Sequence, residues 1–412
     1  MVSHRERDRA VYFGQSNGRL REYIRGFATH SRGQGYTNAT INLRLLLVRD
    51  LDQWMKKRRM RLGNLNEERC VQFFRDHRKR YKVNCSDDAT VRSLLKYLRE
   101  AKVVGPPVFR NYTIPIDRLQ AEFARHLREQ RGLRPATLEQ YLFHSRRFLF
   151  ERFGSGALRL DELNSQDVVQ CVLRQARTVS RHAARCMAKV LRSLLRFLHQ
   201  RRDITTDLAA SVPSVAYWSQ AELPKYLTPD QIALVLKHSE QGNATVQRDR
   251  VILLLLARLG LRASEVLRMK LDDIDWEAGE LTIHGKGGRD DRLPLPRDVG
   301  QALAEYLQKI RPRCACRDVF IRARAPHAGF ADSAAVDIVV QRALKRAGLN
   351  PPTKGAHLFR HGLATRMLRN GASLTEIGKV LRHQSVCATA VYAKVNLDAL
   401  RTLAQPWPGG EA

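Results

Sequence analysis

Val251-Ile252-Leu253-Leu254-Leu255-Leu256-Ala257-Arg258-Leu259-Gly260-Leu261-Arg262-Ala263-Ser264-Glu265 runs from an uninterrupted apolar segment into a charged turn. The first seven residues show no polar face and predict a buried helix, which Gly260 ends by supplying a left-handed residue. Arg262 follows the break, so a fixed turn aims its guanidinium, and Glu265 stands three residues on to orient it. A planar cation that cannot lose its proton suits a phosphate oxygen better than a lysine does.

Upstream, Thr228-Pro229-Asp230-Gln231 supplies an N-cap, a proline at the first helical position and a capping-box partner, and Ile232, Val235 and Leu236 begin an amphipathic helix. Downstream, Leu281-Thr282-Ile283-His284 reads as a strand, Gly285-Lys286-Gly287-Gly288 as a flexible turn and residues 292–295 as a returning strand. Pro294 demotes that strand to an edge, and Lys286 falls on the hairpin tip. Ser373-Leu374-Thr375-Glu376 is a second capping box, before a short helix that buries Leu374, Ile377 and Leu381. The fold class expected is mainly α with a small antiparallel β-sheet in the C-terminal domain (α+β).

The N-terminal half is helical and repeats itself. Gly35, Ala39 and Thr40 open a pattern that passes Leu65-Asn66 and closes on Arg92-Ser93-Leu94-Leu95-Lys96-Tyr97-Leu98. Gly132, Ala136 and Thr137 open a second that passes Leu163-Asn164 and closes on Arg192-Ser193-Leu194-Leu195-Arg196-Phe197-Leu198, with an offset drifting only from 97 to 100 residues. That register points to a duplicated helical module. Gly105-Pro106-Pro107 separates the copies, and Pro213 and Pro224 punctuate a longer spacer. The expected domains are a tail (1–16), an extra helical module (17–104), a linker (105–112), a second helical module (113–205), a linker (206–226), the C-terminal domain (227–405) and a tail (406–412).

With 72 Lys and Arg against 41 Asp and Glu, the net charge of +31 favours a polyanionic partner over a small neutral ligand. Basic residues recur along nearly the whole chain, as at 56–59 and around Arg174, Arg177 and Arg181. Seven cysteines without regular spacing argue against a disulfide framework and for a reducing interior, with a cytoplasmic location as the expectation. Cys314 and Cys316 lack a second pair at finger-like spacing, so free thiols are expected. No apolar run reaches membrane-spanning length, and no membrane partner or small-molecule substrate is expected.

Chemistry concentrates in an ordered set: Arg262, Lys286, His357, Arg360, His383 and Tyr392. His357 and Arg360, three apart on a predicted helix with His361 adjoining, present an imidazole and a guanidinium on one face. An unperturbed imidazole has its pKa near neutrality, which makes His357 a candidate acceptor for a phenolic proton. His383 and Tyr392 are separated by a predicted helix break at Gln384-Ser385, with Ser385 as the cap of the helix that carries the tyrosine. A phenol with a free pKa of about 10 is a poor nucleophile until a base and nearby cations activate it. Five phosphate-holding or proton-donating groups before one phenol are what cleaving a phosphodiester without a metal requires.

These boxes resemble the tyrosine recombinases of the phage integrase family. Gly260-Leu261-Arg262 with Ser264-Glu265 is similar to the first arginine box, Lys286 to the hairpin lysine, residues 357–361 to the second box and residues 383–392 to the last. The resemblance covers roughly 225–405 as catalytic domain and, more loosely, 113–205 as core-binding domain. It implies that Tyr392 attacks the scissile phosphate to give a 3′-phosphotyrosyl link and that Lys286 protonates the departing 5′ oxygen. Arg262, Arg360 and His383 would stabilise the transition state, Glu265 would support them, and no ATP, metal or other cofactor is required. Partners implied are double-stranded DNA with specific recombination sites and a homo-tetramer on paired sites, or assembly with related recombinases. The segment 397–403 resembles a terminal helix that docks on a neighbouring protomer, and residues 113–205 and the catalytic domain are expected to clamp a duplex. Arg382 stands where a small residue commonly precedes the histidine, and Phe359 replaces a common leucine.

Three other readings stay open at this stage. Asp272, Asp273, Asp275 and Glu277 cluster as a two-metal strand-transfer enzyme would require, although a turn entering the first strand also explains them. Type IB topoisomerases use a similar residue set to relax DNA. A non-catalytic accessory factor would keep the same residues as a phosphate clamp. Integration, excision, resolution and transposition are not distinguished.

Overall fold

The computed structural model describes residues 19–79, 81, 85–106, 115–154, 156–216, 223–285 and 288–395. The chain forms two compact units: residues 107–221, and residues 1–106 together with 222–412. As expected, it is mainly helical with one small antiparallel sheet.

The first module contains helices α1 (Arg21–Gly33), α2 (Asn38–Lys57), α3 (Glu67–Arg78) and α4 (Cys85–Glu100), with a 3₁₀ turn at Leu62–Asn64. The second contains α5 (Pro115–Glu129), α6 (Pro135–Phe153), α7 (Ser165–Thr178) and α8 (Arg181–Gln200), with a 3₁₀ turn at Leu160–Glu162. The correspondence extends to details. Asn66 caps α3 by accepting from the Arg69 N–H, and Asn164 caps α7 by accepting from the Asp167 N–H. Phe27, His30 and Tyr97 form an aromatic trio with centroids 5.4–6.5 Å apart, and Phe123, His126 and Phe197 form its counterpart at 4.9–6.5 Å. Lys102 and Arg202, just past α4 and α8, are both left-handed, at φ 56° and 63°. The next N–H returns to the helix in each case, Val103 to the Leu98 carbonyl and Asp203 to that of Leu198.

Each module buries its own core. In the first, Leu51, Met55, Leu65 and Leu98 are inaccessible, and in the second Phe123, Leu149, Leu191 and Leu198 are. The spacer read from residue 206 onward is not all linker, because Leu208, Ala209 and Val212 are buried against the second core. Their apolar side chains gain more from that core than from water, and sequence punctuation does not report this.

The C-terminal region contains α9 (Pro229–Lys237), α10 (Ala244–Leu259), α11 (Ala263–Arg268), β1 (Ile274–Asp275), β2 (Glu280–His284), β3 (Asp290–Pro294), α12 (Arg297–Glu305), α13 (Ala334–Arg346), α14 (His357–Arg369), α15 (Leu374–Val380) and α16 (Val386–Ala390). The sheet order is β1-β2-β3, with Leu281 opposite Leu293 and His284 opposite Asp290, so β3 with Pro294 is an edge. Helix α10 is buried almost all round, from Val251 to Ala257, and packs against α9, α12, α13 and α14. It is the hub of the region. No described helix is long and apolar enough to cross a membrane.

Candidate active site

Helix α10 stops at Gly260, which is left-handed at φ 58° and ψ 33°. A Cβ there would lie 2.8 Å from Leu381 Cδ2 and 2.9 Å from Leu363 Cδ2, so the turn is packed tightly against the helices that follow. Arg262 is the extended N-cap of α11. Its backbone N–H donates to Glu265 Oε2 at 2.8 Å, and its Nη1 donates to Oε1 at 2.7 Å. Glu265 is buried and meets a second cation, since Arg382 Nη2 donates to Oε2 at 2.9 Å. Burial works against ionising this carboxyl, yet the Arg262 backbone N–H and the guanidiniums of Arg382 and Arg262 outweigh it and hold it below its ordinary range.

The first residues of α14 bring His357, Arg360 and His361 to the same place. Arg360 is 3 % exposed, with Nη1 donating to the Gly260 carbonyl at 2.6 Å and Nη2 to that of Leu381. Burial, then the neighbouring Arg262, pull its pKa down to about 10, which leaves it charged at neutral pH. His383 Nδ1 lies 2.7 Å from Thr389 Oγ1, and its ring stacks on that of Tyr392 at 6.3 Å and 6°. Burial and the charges of Arg360 and Arg262 lower His383 to about 4. Tyr392 itself is 1 % exposed, packed among Leu363, Ala364, Ile377 and Leu381. Burial raises its phenol to about 12, while Arg360 and Arg262 oppose that rise.

The hydroxyl of Tyr392 is 2.8 Å from Nδ1 of His361. Burial, His357 and Arg360 lower the His361 imidazole to about 4, so it is neutral at pH 7, and in the tautomer with the ring proton on Nε2 its Nδ1 accepts from the phenol. The sequence had pointed to His357 as the acceptor. That ring lies one turn away, its centroid 6.1 Å from that of His361, and is also lowered by burial and Arg360. Tyr392 also sits just beyond α16 rather than within it, and Ser385 is the N-cap by backbone position without a side-chain cap bond.

Arg262, Glu265, Arg360, His383 and Tyr392 are thus gathered into one network, with His357 at its edge. Lys286 and the segment 397–403 lie outside the described residues. The base of the hairpin that carries Lys286 is held by His284, whose Nδ1 is 2.7 Å from Asp290 and Nε2 2.9 Å from Asp273. Bonds to Asp290 and Asp273 raise this imidazole above its ordinary value. The acidic cluster has local partners: Asp272 pairs with Arg317, Asp273 also accepts from the Lys270 N–H, and Asp275 accepts from the N–H groups of Glu277 and Ala278.

Residues 225–398 match the phage integrase family. The putative integrase/recombinase y4rA of Sinorhizobium fredii is 42 % identical over 389 residues, covering 94 % of each chain. The tyrosine recombinase XerD of Mycobacterium tuberculosis is 31 % identical over 306 residues, covering 69 % of this chain and 94 % of its own. Among solved structures, the XerH site-specific recombinase bound to palindromic difH substrate aligns with a TM-score of 0.54 at 17 % identity, over 75 % of this chain and 92 % of that one. A lambda integrase (75-356) dimer bound to a COC′ core site aligns at 0.53 and 18 %, over 72 % and 98 %. At such identities the likeness is one of fold.

Proposed function

Because the chain belongs to the phage integrase family, and is a tyrosine recombinase that cuts and rejoins DNA in site-specific recombination, we propose that Tyr392 is its nucleophile and His361 the acceptor of the phenolic proton. Tyr392 Oη attacks the scissile phosphorus and its proton passes to His361 Nδ1. The bond to the 5′ oxygen breaks, that oxygen takes a proton from Lys286, and a 3′-phosphotyrosyl link remains. Arg262, Arg360 and His383 hold the non-bridging oxygens, with His357 at the edge of the cluster. Each guanidinium has five N–H donors, so the bonds to Glu265, Gly260 and Leu381 leave others for phosphate. Reversal by the freed hydroxyl rejoins a strand without an energy source, since one phosphodiester replaces another.

The observation that carries this reading is the hydrogen bond from a phenol to a neutral imidazole, beside two guanidiniums. The tyrosine is buried as described, so cleavage requires the turn at 391–395 to open toward the phosphate. We read residues 113–205 and 227–405 as the core-binding and catalytic domains acting on a duplex with specific sites. Assembly would be as a tetramer on paired sites or with related recombinases. A lambda integrase tetramer bound to a Holliday junction shares the fold at a TM-score of 0.52.

The test is a nicked suicide duplex carrying the recombination site, with the covalent adduct read by denaturing gel and the modified peptide by mass spectrometry. Wild type should form an adduct at Tyr392 in the presence of EDTA. Tyr392→Phe should bind and form none, and His361→Leu should slow adduct formation by roughly 10²-fold with unchanged affinity. An adduct surviving in Tyr392→Phe overturns the nucleophile, and a full rate in His361→Leu overturns the acceptor.

A further inference from the structure

The two helical modules share a fold but carry their exposed charge on different faces. On α8 of the second module, Arg181, Arg185, Lys189 and Arg196 are exposed at spacings of four, four and seven, which places them on one helical face. The register of α4 on α8 puts Arg92 opposite Arg192 and Lys96 opposite Arg196. There the first module has supplied its own anions: Asp88 in place of Ala188 pairs with Arg92, and Glu100 in place of Gln200 pairs with Lys96. Of the four stripe positions only Arg196 has a charged counterpart, Lys96, and that lysine is paired with Glu100; at the other three the first module has Tyr81, Cys85 and Ala89.

The opposite exchange occurs where the first helix meets the segment after the second. In the first module Arg19, Arg21 and Arg61 line a surface cavity of about 380 Å³ together with Glu22 and Leu62. Arg25, one turn along the face of Arg21, and Arg59 are exposed on the same two segments. The Arg19 guanidinium donates to the Met60 carbonyl, which ties the start of the module to this corner. Among the described residues none of Arg21, Arg25, Arg59 and Arg61 pairs with a carboxylate. At matching register the second module has Asp117 for Arg21, Ala121 for Arg25 and Ala157 for Arg59. Its two arginines there are both paired, Arg159 with Glu162 at 2.9 Å and Arg118, which stands for Glu22, with Glu122 at 3.5 Å, and Asp117 pairs with Arg146 at 2.6 Å. Like charges at one corner, in excess over the single carboxylate Glu22 in the cavity lining, repel one another, and a polyanion relieves that repulsion by exchanging its counterions for them.

We propose that residues 19–104 are a second DNA-binding module that grips the phosphate backbone of a duplex through the corner of Arg21, Arg25, Arg59 and Arg61, and not through the face equivalent to α8. The inference rests on reading the chain as a DNA recombinase, and it gives the duplicated module a stretch of DNA of its own. The contacts are to backbone, so they add affinity and salt dependence without reading sequence.

The full chain is titrated with a duplex by fluorescence anisotropy over a range of KCl concentrations. Arg21→Gln/Arg25→Gln/Arg61→Gln should reduce the slope of log affinity against log salt by about 0.9 for each lost phosphate contact. The lysine triple Arg21→Lys/Arg25→Lys/Arg61→Lys should restore the wild-type slope, which a loss of folding would not allow. Arg92→Gln/Lys96→Gln should leave the slope unchanged. A wild-type slope in the glutamine triple, or an equal fall in Arg92→Gln/Lys96→Gln, overturns the proposal. The suicide-duplex adduct, scored on the same proteins, reports the catalytic reading separately. A wild type without adduct whose slope still falls in the glutamine triple would refute the chemistry and support the module.

Discussion

At the scale of single residues, Arg382, which stands where a small residue is expected from the sequence, has a definite place in the structure. Its backbone is left-handed at φ 55°, a conformation that costs a non-glycine residue about 1–2 kcal/mol. Its side chain is 5 % exposed and pairs with Glu265, which in turn holds Arg262. Arg382→Ala keeps the backbone strain and loses the buried pair, whereas Arg382→Gly loses both. Chemical denaturation should find both variants less stable than wild type, the alanine form by roughly 1 kcal/mol more than the glycine form, because breaking a buried ion pair outweighs the relief of strain. Both should cleave more slowly, as Glu265, which aims Arg262, loses its second cation. Equal stabilities for the two variants would show that φ strain is not what separates them.

At the scale of elements, the end of α10 is the joint on which the site is assembled. Gly260 accepts from Arg360 through its carbonyl and touches Leu363 and Leu381 through the space a Cβ would fill. Gly260→Ala should therefore destabilise the protein by about 2 kcal/mol, from left-handed strain together with displaced leucines, as measured by the shift in urea midpoint. It should also slow cleavage, since Arg360 follows that carbonyl. This joint was legible in the sequence because a glycine after seven apolar residues has few other uses. So were the capping boxes at Thr228 and Ser373, both of which form, and the edge position of Pro294. The partner of Tyr392 was not. Spacing three apart drew attention to His357 with Arg360, but a residue four on lies nearer the same helical line, and which of two such histidines faces a distant turn depends on packing. Nor does sequence show that Tyr392 would fall beyond its short helix and inside a leucine-lined pocket.

For the whole molecule, imidazoles partly withdrawn from water beside cations make stability depend on pH with a definite sign. His361 and His383 are both lowered from 6.5 to about 4, and His357 is lowered as well. The unfolded chain thus binds more protons than the folded one between these values. Stability is indifferent to these groups above pH 6.5 and falls as pH drops from there toward 4. Thermal melts should show the midpoint declining through that window, and His361→Asn should flatten the decline. A midpoint rising as the solution is acidified would contradict the assignment of neutral rings. The repeated modules use one fold twice with charges altered at particular positions, such as Ala188 against Asp88 and Asp117 against Arg21.

The concealment of Tyr392 has a bearing on safety. On the proposed mechanism, a nucleophilic oxygen kept dry beneath Leu363 and Leu381 would not nick a chromosome during chance encounters, however many a strongly cationic protein undergoes. Commitment would then lie in uncovering the tyrosine rather than in the bond exchange that follows.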